Sequence, residues 1–343
     1  MSKVILRYSN LVILTLLVLS FLSFCLAYLF PGDPLTNLSG LSPATPEERE
    51  ALVGQYHLNA NFFVQYWHYL GELFSGNWGL SISSGLPLAD EIARTLPASI
   101  ELSTYALILS LLVGLPLGFI AGLRHQRGTD YTLLSISVLG YSIPVFWLAM
   151  LMILAFSLQL GWFPLSGRIS LLYEVPRTSG FIMWDILWSD LENKQQVALD
   201  ALRHMILPTL SIAAFTTTVI LRITRRSIIE TLNSDFIQAA RARGISPRLI
   251  LFRHGIRNAI MPILPLLAMQ FTTLLTNAMI VEVIFSWPGI GNWLIQAIYQ
   301  RDYPAIRVGM LAVSTLVVMF TMSIDLIIRL IDPKKRRLNR VTI

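Results

Sequence analysis

The chain has 343 residues, of which 54% are hydrophobic and only 13% charged, whereas about a quarter of the residues in soluble domains are charged. This composition excludes an ordinary soluble protein, so the net charge of +6 does not indicate nucleic-acid binding as it would in a soluble chain. Cys25 is the one cysteine, which excludes an intrachain disulfide and a cysteine-based metal site.

Catalytic chemistry has no recognisable arrangement in this sequence. The five histidines are scattered, and neither an H-E-x-x-H helix nor a nucleophile constellation occurs. No lysine lies in a G-x-x-x-x-G-K-[ST] motif, so the chain cannot be its own P-loop ATPase. We therefore expect an all-α integral membrane protein without catalytic residues, cofactor, metal site or nucleic-acid partner.

Residues 1–30 are predicted to form an N-terminal tail and the first transmembrane helix. The apolar run 11–30 follows Lys3 and Arg7, a pattern that signal peptides and membrane anchors share. Its length of about 20 residues is enough to cross a bilayer. Because no A-x-A cleavage site precedes Pro31, an uncleaved helix is favoured.

The next segment, residues 31–98, is polar and more acidic than basic. Because basic residues collect in cytoplasmic loops, we predict that this segment is periplasmic. Its aromatic patch is typical of a membrane interface, and a platform for a substrate or partner is the alternative. The patch consists of Phe62, Phe63, Tyr66, Trp67 and Tyr69.

The second span, residues 100–122, carries three glycines spaced four residues apart. Gly114, Gly118 and Gly122 lie on one helical stripe, where the lack of side chains lets another helix approach closely. We interpret the stripe as helix packing within the subunit, and a special dimer face is the alternative.

Four further spans are predicted after the second one. Residues 131–160 form the third and contain Pro144, which predicts a kink. Residues 99–332 would then be a five-helix core, followed by a basic tail at 333–343. Most of the 26 basic residues fall on one side in this arrangement, so both termini are predicted to be cytoplasmic. The remaining spans are residues 204–223, 259–284 and 305–331.

Three acidic residues, Glu101, Glu282 and Asp325, fall in or at the edge of predicted spans. A charge costs about 2.5 to 3.5 kcal/mol at the bilayer centre, so such residues usually face a polar cavity. Glu101 and Glu282 lie near the predicted outer boundary, where we expect solvation at the interface instead. Asp325 is expected to pair with Arg329 four residues on.

The loop between the fourth and fifth spans, residues 222–259, is the most basic part of the chain. Its arginines are opposed within the loop only by Glu230 and Asp235. The positive charge assigns this loop to the cytoplasm. The arginines are Arg222, Arg225, Arg226, Arg241, Arg243, Arg248, Arg253 and Arg257.

Residues 234–244 of this loop predict a short helix. Ser234 is expected to accept hydrogen bonds from the first free N–H groups, and Gly244 ends the helix. Ala239 and Ala240 leave one helical surface almost without side chains. A solvated basic loop that only sets topology is one interpretation. The bare surface favours the other, a helix that docks in the cleft of a partner.

This helix resembles the cytoplasmic "EAA" loop of inner-membrane permeases in binding-protein-dependent ABC importers, in the dipeptide/oligopeptide branch. That loop has Glu-Ala-Ala, three residues and a glycine. The present chain has Gln238, Ala239, Ala240 and Gly244 at these places, with glutamine instead of the leading glutamate.

Three other stretches extend the resemblance along the chain. Residues 141–147, Tyr-Ser-Ile-Pro-Val-Phe-Trp, are similar to a stretch typical of the peptide permeases. Residues 285–291 are similar to the family as well. Residues 161–175 are similar to its Sap branch, which is associated with the uptake of cationic peptides.

The resemblance implies a fold and an assembly. The fold would be six transmembrane helices of the ABC importer permease type, in the bacterial inner membrane, with a cytoplasmic coupling helix between helices 4 and 5. The partners would be a second homologous permease, two ATP-binding subunits and a periplasmic substrate-binding protein, within the lipid bilayer. The residues that would couple to the ATPase are Phe236, Gln238, Ala239, Ala240, Arg243 and Gly244.

The segment after the fifth span predicts a bent, non-helical turn, because Pro288, Gly289 and Gly291 follow one another closely. Together with Trp287, these residues are a candidate periplasmic gate, and a plain connector is the alternative. The overall prediction is a permease for di-/oligopeptides or cationic peptides. Polyamine export, import of heme or a metal chelate on the same scaffold, and an ATP-independent channel are the alternatives.

Overall fold

The structure is a computed structural model that describes residues 2–261 and 263–331. In these ranges the chain is helical, with no strand and one isolated bridge between Leu80 and Pro87. The predicted basic tail, 333–343, lies outside the described residues. The side chains of six basic residues also lie outside them, namely Lys3, Arg7, Arg248, Arg253, Arg257 and Arg329.

The described α-helices differ widely in length. Two π-helical segments, Ile153–Gln159 and Leu251–Gly255, continue α7 and α11. In chain order the helices are α1 (Ser2–Leu29), α2 (Pro34–Ser39), α3 (Pro46–Gln55), α4 (Phe62–Ser75), α5 (Leu88–Leu123), α6 (Gly128–Ser142), α7 (Val145–Met152), α8 (Ile182–Trp188), α9 (Lys194–Leu232), α10 (Asp235–Ala242), α11 (Pro247–Ile250), α12 (Ile256–Ile260), α13 (Leu264–Ile284), α14 (Ile290–Gln300) and α15 (Tyr303–Ile331).

Between four and six membrane spans can be drawn from the described helices. Two bent pairs pass the same test of length and hydropathy, Gly128–Ser142 with Val145–Gln159 at 94° and Asn258–Leu266 with Met269–Ile284 at 46°. Counting each pair as one span gives six. The four unbroken candidates are Ser9–Leu29, Leu88–Leu123, Lys194–Leu232 and Tyr303–Leu326.

The kink predicted at Pro144 is confirmed as the 94° bend between α6 and α7. Proline disfavours helical backbone at the residue before it. Ile143 accordingly has extended backbone, with φ −85° and ψ 120°. The helix therefore stops at Ser142 and restarts at Val145 in another direction.

Helices α5 and α9 are longer than the spans predicted from hydropathy. The helices that contain the predicted spans 100–122 and 204–223 continue beyond them, because α5 begins at Leu88 and α9 covers 39 residues. At about 1.5 Å per residue, α9 is about 58 Å long, nearly twice the thickness of the hydrocarbon layer. Hydropathy marks where lipid-compatible residues end, whereas helical hydrogen bonding continues beyond that point.

The described residues form two compact units. The first unit contains the described residues of the segments Met1–Ser99, Pro176–Asp185 and Pro288–Met322. The second takes those within Ile100–Val175, Ile186–Trp287 and Ser323–Ile343.

In the first unit, the Asp302 carboxylate joins the turn before α5 to the start of α15. It accepts hydrogen bonds from the Ser81 hydroxyl at 2.6 Å, from the Ser83 backbone and hydroxyl at 3.0 and 2.9 Å, and from the Ala305 N–H at 3.1 Å. Burial opposes its ionisation, but these hydrogen bonds outweigh burial and lower the pKa of Asp302. The contact thus stabilises the fold above the pKa of an unfolded aspartate, and it is lost as the pH falls through the lowered pKa.

In the second unit, α5 lies so close to α9 that side chains would clash at the three glycines. A Cβ atom added to Gly118 would lie 2.5 Å from the Leu221 carbonyl oxygen and 2.6 Å from the Thr224 Cβ. A Cβ atom at Gly114 or Gly122 would lie 2.9 or 2.7 Å from side-chain atoms of α9. The absence of side chains on this stripe therefore permits the approach of the two helices.

Substituting Gly118→Ala is expected to lower the free energy of unfolding by about 1–3 kcal/mol, because the added methyl group meets backbone that cannot move independently. The control is Gly54→Ala in α3, where an added Cβ meets nothing within 4 Å. This control should leave stability unchanged or raise it by up to about 1 kcal/mol. Thermal unfolding of the detergent-purified protein measures both, and equal midpoints would refute the close contact.

Candidate functional site

The basic loop begins on the last turns of α9, where Arg225 forms a buried ion pair with Asp130 at the start of α6. The Asp130 carboxylate accepts from Arg225 Nε at 2.6 Å and from its Nη2 at 2.8 Å, which makes the pair bidentate. The backbone N–H of Gln126 donates to the same carboxylate at 3.0 Å, and His125 Nδ1 lies 3.2 Å from it. The Asp130 side chain is 1% exposed. This pair fixes α6 against α9.

The other two arginines at this end of α9 also have partners. Arg222 lies over the ring of Tyr141, with its guanidinium carbon 4.4 Å from the ring centroid. Arg226 donates to Glu230 at 2.7 Å in an exposed pair one turn along the helix. The charge cluster is therefore partly neutralised. Sequence reasoning within the loop missed Asp130, because this acid comes from a different segment of the chain.

Helix α10 begins directly after α9, but Ser234 does not cap it as predicted. The Ser234 hydroxyl donates to the carbonyl of Thr231 at 2.5 Å, back towards α9, so the expected side-chain cap is wrong. The backbone carbonyl of Ser234 instead accepts from the N–H groups of Ile237 and Gln238 at 3.0 and 3.1 Å. Serine hydroxyls often donate to a carbonyl one turn back when a helix end provides it.

The surface of α10 is divided between one buried residue and an exposed face. Ile237 is 0% exposed and holds the helix on the second unit, whereas Phe236 is 48% exposed. Ala239 and Arg243 are exposed too, and at spacings of three and seven residues they share a face with Phe236. Ala240 is half-buried and lies towards the edge of this face. The predicted coupling residues thus lie mainly on the outward side of a seated helix.

The Gln238 side chain bonds to the segment before this helix, and Gly244 follows its C-terminal end. Gln238 donates through Nε2 to the carbonyl of Asn233 at 3.1 Å, so its amide is used locally. Gly244 has a left-handed backbone with φ of 75°. Its N–H donates to the Arg241 carbonyl at 2.9 Å, and the next N–H, of Ile245, donates to the Ala240 carbonyl at 3.3 Å. This pair of bonds is the Schellman motif, in which glycine avoids the strain that a Cβ atom would cause.

The candidate gate lies in a turn between α13 and α14. Trp287 is 0% exposed, and the guanidinium of Arg168 lies over its ring at 5.7 Å, within the second unit. Pro288 is exposed, Gly289 precedes the first residue of α14, and Gly291 is buried within that helix. The segment up to Tyr303 is therefore a turn followed by an eleven-residue helix, which sequence reasoning missed.

The acidic residues assigned to the outer boundary are buried. Glu101 is 3% exposed and accepts hydrogen bonds from Arg168 Nη2 and from the hydroxyl of Tyr105. Glu282 is 0% exposed, and its carbonyl accepts from the N–H of Trp287 at 2.8 Å. The prediction of interfacial solvation for both was wrong. A buried charge requires a partner, and Arg168 comes from a loop about 67 residues later in the chain.

The remaining predictions concern the partner of Asp325 and metal binding. The Arg329 side chain is outside the described residues, so the pair expected with Asp325 is outside them as well. Within residues 2–261 and 263–331, no group of three or more His, Cys, Asp or Glu side chains could hold a metal ion.

Two family models match the sequence. One, described as a binding-protein-dependent transport system inner membrane component, matches residues 114–337. The other, described as the N-terminal part of a membrane component of the same transport systems, matches residues 1–98.

Individual relatives match nearly the whole chain. The di/tripeptide transport system permease protein DppB of Pseudomonas aeruginosa (strain UCBPP-PA14) is 38% identical over 336 residues, which are 98% of this chain and 99% of the relative. The putrescine export system permease protein SapB of Escherichia coli (strain K12) is 38% identical over 332 residues, 97% of each chain. Among solved structures, the MetNI methionine ABC transporter in inward-facing form matches with a TM-score of 0.50. The MetNI chain is 16% identical, and the match covers 70% of the present chain and 96% of the MetNI chain. At this identity the likeness concerns the fold alone.

Substituting Asp130→Ala is expected to lower the free energy of unfolding by about 3 kcal/mol, because it leaves the Arg225 guanidinium without its buried carboxylate. The matched control is Glu230→Ala, which removes the exposed partner of Arg226 on the same helix and should leave stability unchanged. Thermal unfolding in detergent is the measurement. If both variants unfold together with the wild type, the buried pair does not hold α6 to α9.

Proposed function

This chain belongs to the family of binding-protein-dependent transport system inner membrane components, and we propose that it moves peptides across the bacterial inner membrane. As a family member it is a permease subunit of an ABC transporter, most like the permeases of peptide transporters. Membership argues against the ATP-independent channel, because the relatives are permease subunits of transport systems that ABC transporters form.

We place the contact with the ATPase on residues 235–244, and the exposed face of α10 carries this proposal. Phe236 supplies an exposed apolar side chain for contact. The small side chain of Ala239 leaves space beside it, and Arg243 adds a charge at the C-terminal end of α10. A cleft in a partner can receive such a face without removing any contact inside the chain. Gln238 would orient the helix start rather than contact the partner, because its amide is bonded to Asn233.

The connection from α10 to the membrane helices is short and stiff. Gly244 closes α10 with two backbone hydrogen bonds, and Ile237 seats the helix on the second unit. The pair of Asp130 with Arg225 then joins α9 to α6. Closure of the ATP-binding subunits would push α10 as a rigid body, and the bundle would switch between inward-open and outward-open states.

The proposed topology has six spans, with each bent helix pair counted as one and both termini in the cytoplasm. The division into residues 1–30, 31–98, 99–332 and 333–343 belongs to the same proposal. In this topology α10 is cytoplasmic and lies between the fourth and fifth spans. The turn that holds Trp287, Pro288, Gly289 and Gly291 is then periplasmic, where it would act as a gate.

The proposed partners are a second homologous permease, two ATP-binding subunits and a periplasmic substrate-binding protein. The sequence has no P-loop, so in an ABC transporter the ATP would be hydrolysed by other subunits. One cavity of about 290 Å³ lies between α5, α9 and α12, and its lining is apolar apart from Thr224. Such a cavity offers no charge for the termini of a peptide, which favours a substrate path formed with a second permease.

Peptides are the proposed substrate, and polyamines are the second candidate. The relative from Pseudomonas aeruginosa is named for di/tripeptide transport, and the relative from Escherichia coli is named for putrescine export at the same 38% identity. Import of heme or a metal chelate is the remaining alternative from the sequence. The proposed direction for peptides is import, because a binding protein delivers its solute to the permease for uptake.

Substituting Gly244→Trp is expected to weaken coupling by about tenfold. Tryptophan in left-handed backbone costs about 1–2 kcal/mol, so the free chain relaxes away from this helix end and must restore it in order to dock. A cost of 1.4 kcal/mol paid on docking is a tenfold change in affinity. The measurements are substrate-stimulated ATPase activity, uptake and co-purification of the ATP-binding subunits with the reconstituted complex.

The matched control is Gly85→Trp, because Gly85 has nearly the same backbone conformation, with φ of 70°, and equally empty surroundings. It lies in the segment predicted to be periplasmic, so the ATP-binding subunits should stay bound to this variant. Full coupling in Gly244→Trp would show that the partner does not dock at α10.

The substrate proposal predicts that di- and oligopeptides stimulate the ATPase activity of the reconstituted complex with its binding protein. Putrescine, heme and a metal chelate, tested over the same concentration range, should leave the basal rate unchanged. Direct binding of each compound to the substrate-binding protein is the second measurement. Stimulation by putrescine alone would replace the peptide proposal with the polyamine alternative.

A further inference from the structure

Helix α4 belongs to the segment predicted to be periplasmic, yet it packs along a membrane span. Both α4 and α1 lie in the first unit, and α1 contains the candidate span Ser9–Leu29. We propose that α4 lies within the lipid bilayer, in the leaflet where α1 ends at Leu29, and that its exposed face contacts lipid. In the proposed topology this is the outer leaflet.

Hydrogen bonds join α4 to residues of α1 that lie well before the span ends at Leu29. The Tyr66 hydroxyl lies 2.8 Å from the Ser20 hydroxyl and donates to the Leu17 carbonyl at 3.1 Å. The Tyr69 hydroxyl lies 3.1 Å from the hydroxyl of Ser23. Polar groups of a membrane span require partners within the protein, because lipid offers none. The tyrosines of α4 provide such partners.

Aromatic contacts continue the same interface towards the end of α1. The ring of Phe62 lies 5.1 Å from that of Phe24 and 5.7 Å from that of Tyr28. The rings of Phe21 and Tyr66 meet edge to face at 5.3 Å. The Tyr28 hydroxyl also donates to the side-chain oxygen of Gln65 on α4. Contacts therefore run along α1 from Leu17 to Tyr28.

The depth of this interface follows from helix geometry. At about 1.5 Å per residue, Leu17 lies about 18 Å from Leu29 along the axis of α1. One half of a hydrocarbon layer about 30 Å thick measures about 15 Å. The contacts that α4 makes with α1, from Leu17 to Tyr28, therefore cover the depth of one leaflet.

The face of α4 that points away from α1 carries no charge. Phe63 is 72% exposed, Trp67 77% and Phe74 88%, and their spacing of four and seven residues places them on one face. Val64 is exposed as well, at 53%. An exposed apolar face of this kind on a 14-residue helix is typical of a helix in the membrane interface.

The two ionisable side chains of α4, His68 and Glu72, lie on another side of the helix and contact each other. Glu72 lies 3.8 Å from His68 and accepts a hydrogen bond from Asn77. Both also line a small cavity that Arg307 and Tyr56 share. His68 and Glu72 thus face the protein, which lowers the free-energy cost of placing α4 in a bilayer.

Helix α3 in the same segment has the opposite character and provides the contrast. Its first turn carries Glu47 and Glu48, and none of its residues is buried. Arg49 and Glu50 are exposed beside them. Two neighbouring helices of the same unit therefore suit different surroundings, water for α3 and lipid for α4.

The test measures the surroundings of single positions in the full transporter complex, reconstituted in vesicles of phosphatidylethanolamine and phosphatidylglycerol. On a Cys25→Ser background, a spin label is attached after Trp67→Cys or Phe74→Cys. The controls are Val18→Cys, on the exposed side of α1, and Glu50→Cys on α3. Collisions with oxygen, which concentrates in lipid, are compared with collisions with a water-soluble nickel chelate.

Labels at positions 67 and 74 should lose nickel collisions and retain oxygen collisions, as the label at position 18 does. Nickel collisions equal to those at position 50 would overturn the proposal in favour of water. Protection from both reagents would overturn it in favour of a protein partner on this face.

A second measurement needs no substitution. The wild-type complex is labelled with a diazirine carried on a lipid acyl chain, and modified peptides are identified by mass spectrometry. Residues 62–75 should be labelled, whereas residues 46–55 should not. Labelling of neither peptide, with labelled α1 in the same sample, would also overturn the proposal.

Discussion

The ion pair between Asp130 and Arg225 is the contact on which the end of the second unit that carries α10 depends. Helix α9 is nearly twice as long as the hydrocarbon layer is thick, and with the predicted span at 204–223 its last turns extend beyond the lipid. A bidentate pair with a buried carboxylate provides both direction and strength. Asp130 can reach Arg225 because the glycines of α5 let α5 pack closely on α9. Close packing of α5 on α9 brings the short turn after α5 beside α9, and Asp130 follows that turn directly.

Glycine has two separate roles in this arrangement. Gly118 is required because an atom of the neighbouring backbone occupies the space of a side chain. Gly244 has empty space around it and is required because its backbone is left-handed. The first role concerns contact between helices, and the second ends α10 so that its exposed face stays at a fixed distance from α9. A short helix with a defined end can transmit a push, whereas a frayed one would absorb it.

The sequence predicted those features that depend on neighbouring residues. Apolar runs located the candidate spans, because lipid selects residue types over about 20 positions. Pro144 predicted the bend between α6 and α7, and the pattern at residues 234–244 predicted a short helix. Contacts between distant segments were not predictable in this way. The partners of Arg225 and Arg168 are Asp130 and Glu101, and no periodicity along one segment indicates either pair.

The sequence also did not predict where helices begin and end, which matters most for residues 31–98 of the first unit. A polar segment between two apolar runs reads as a loop in water, although its residues can form helices that return to the membrane. Arg307 shows the consequence at the start of α15. It is 1% exposed, donates to the Leu38 carbonyl at 3.1 Å and lies over the ring of Tyr69 at 5.1 Å.

These contacts of Arg307 tie the last long helix to the segment that follows the first. The Arg307 carbonyl also accepts from Ser23 at 3.4 Å, so α1 takes part in the same cluster. A buried guanidinium is costly without partners, and here a backbone carbonyl and an aromatic ring supply them. Residues 31–98 therefore provide groups that a neighbouring membrane helix needs. That requirement argues for a structural role of this segment in the bundle, beyond any role towards the periplasm.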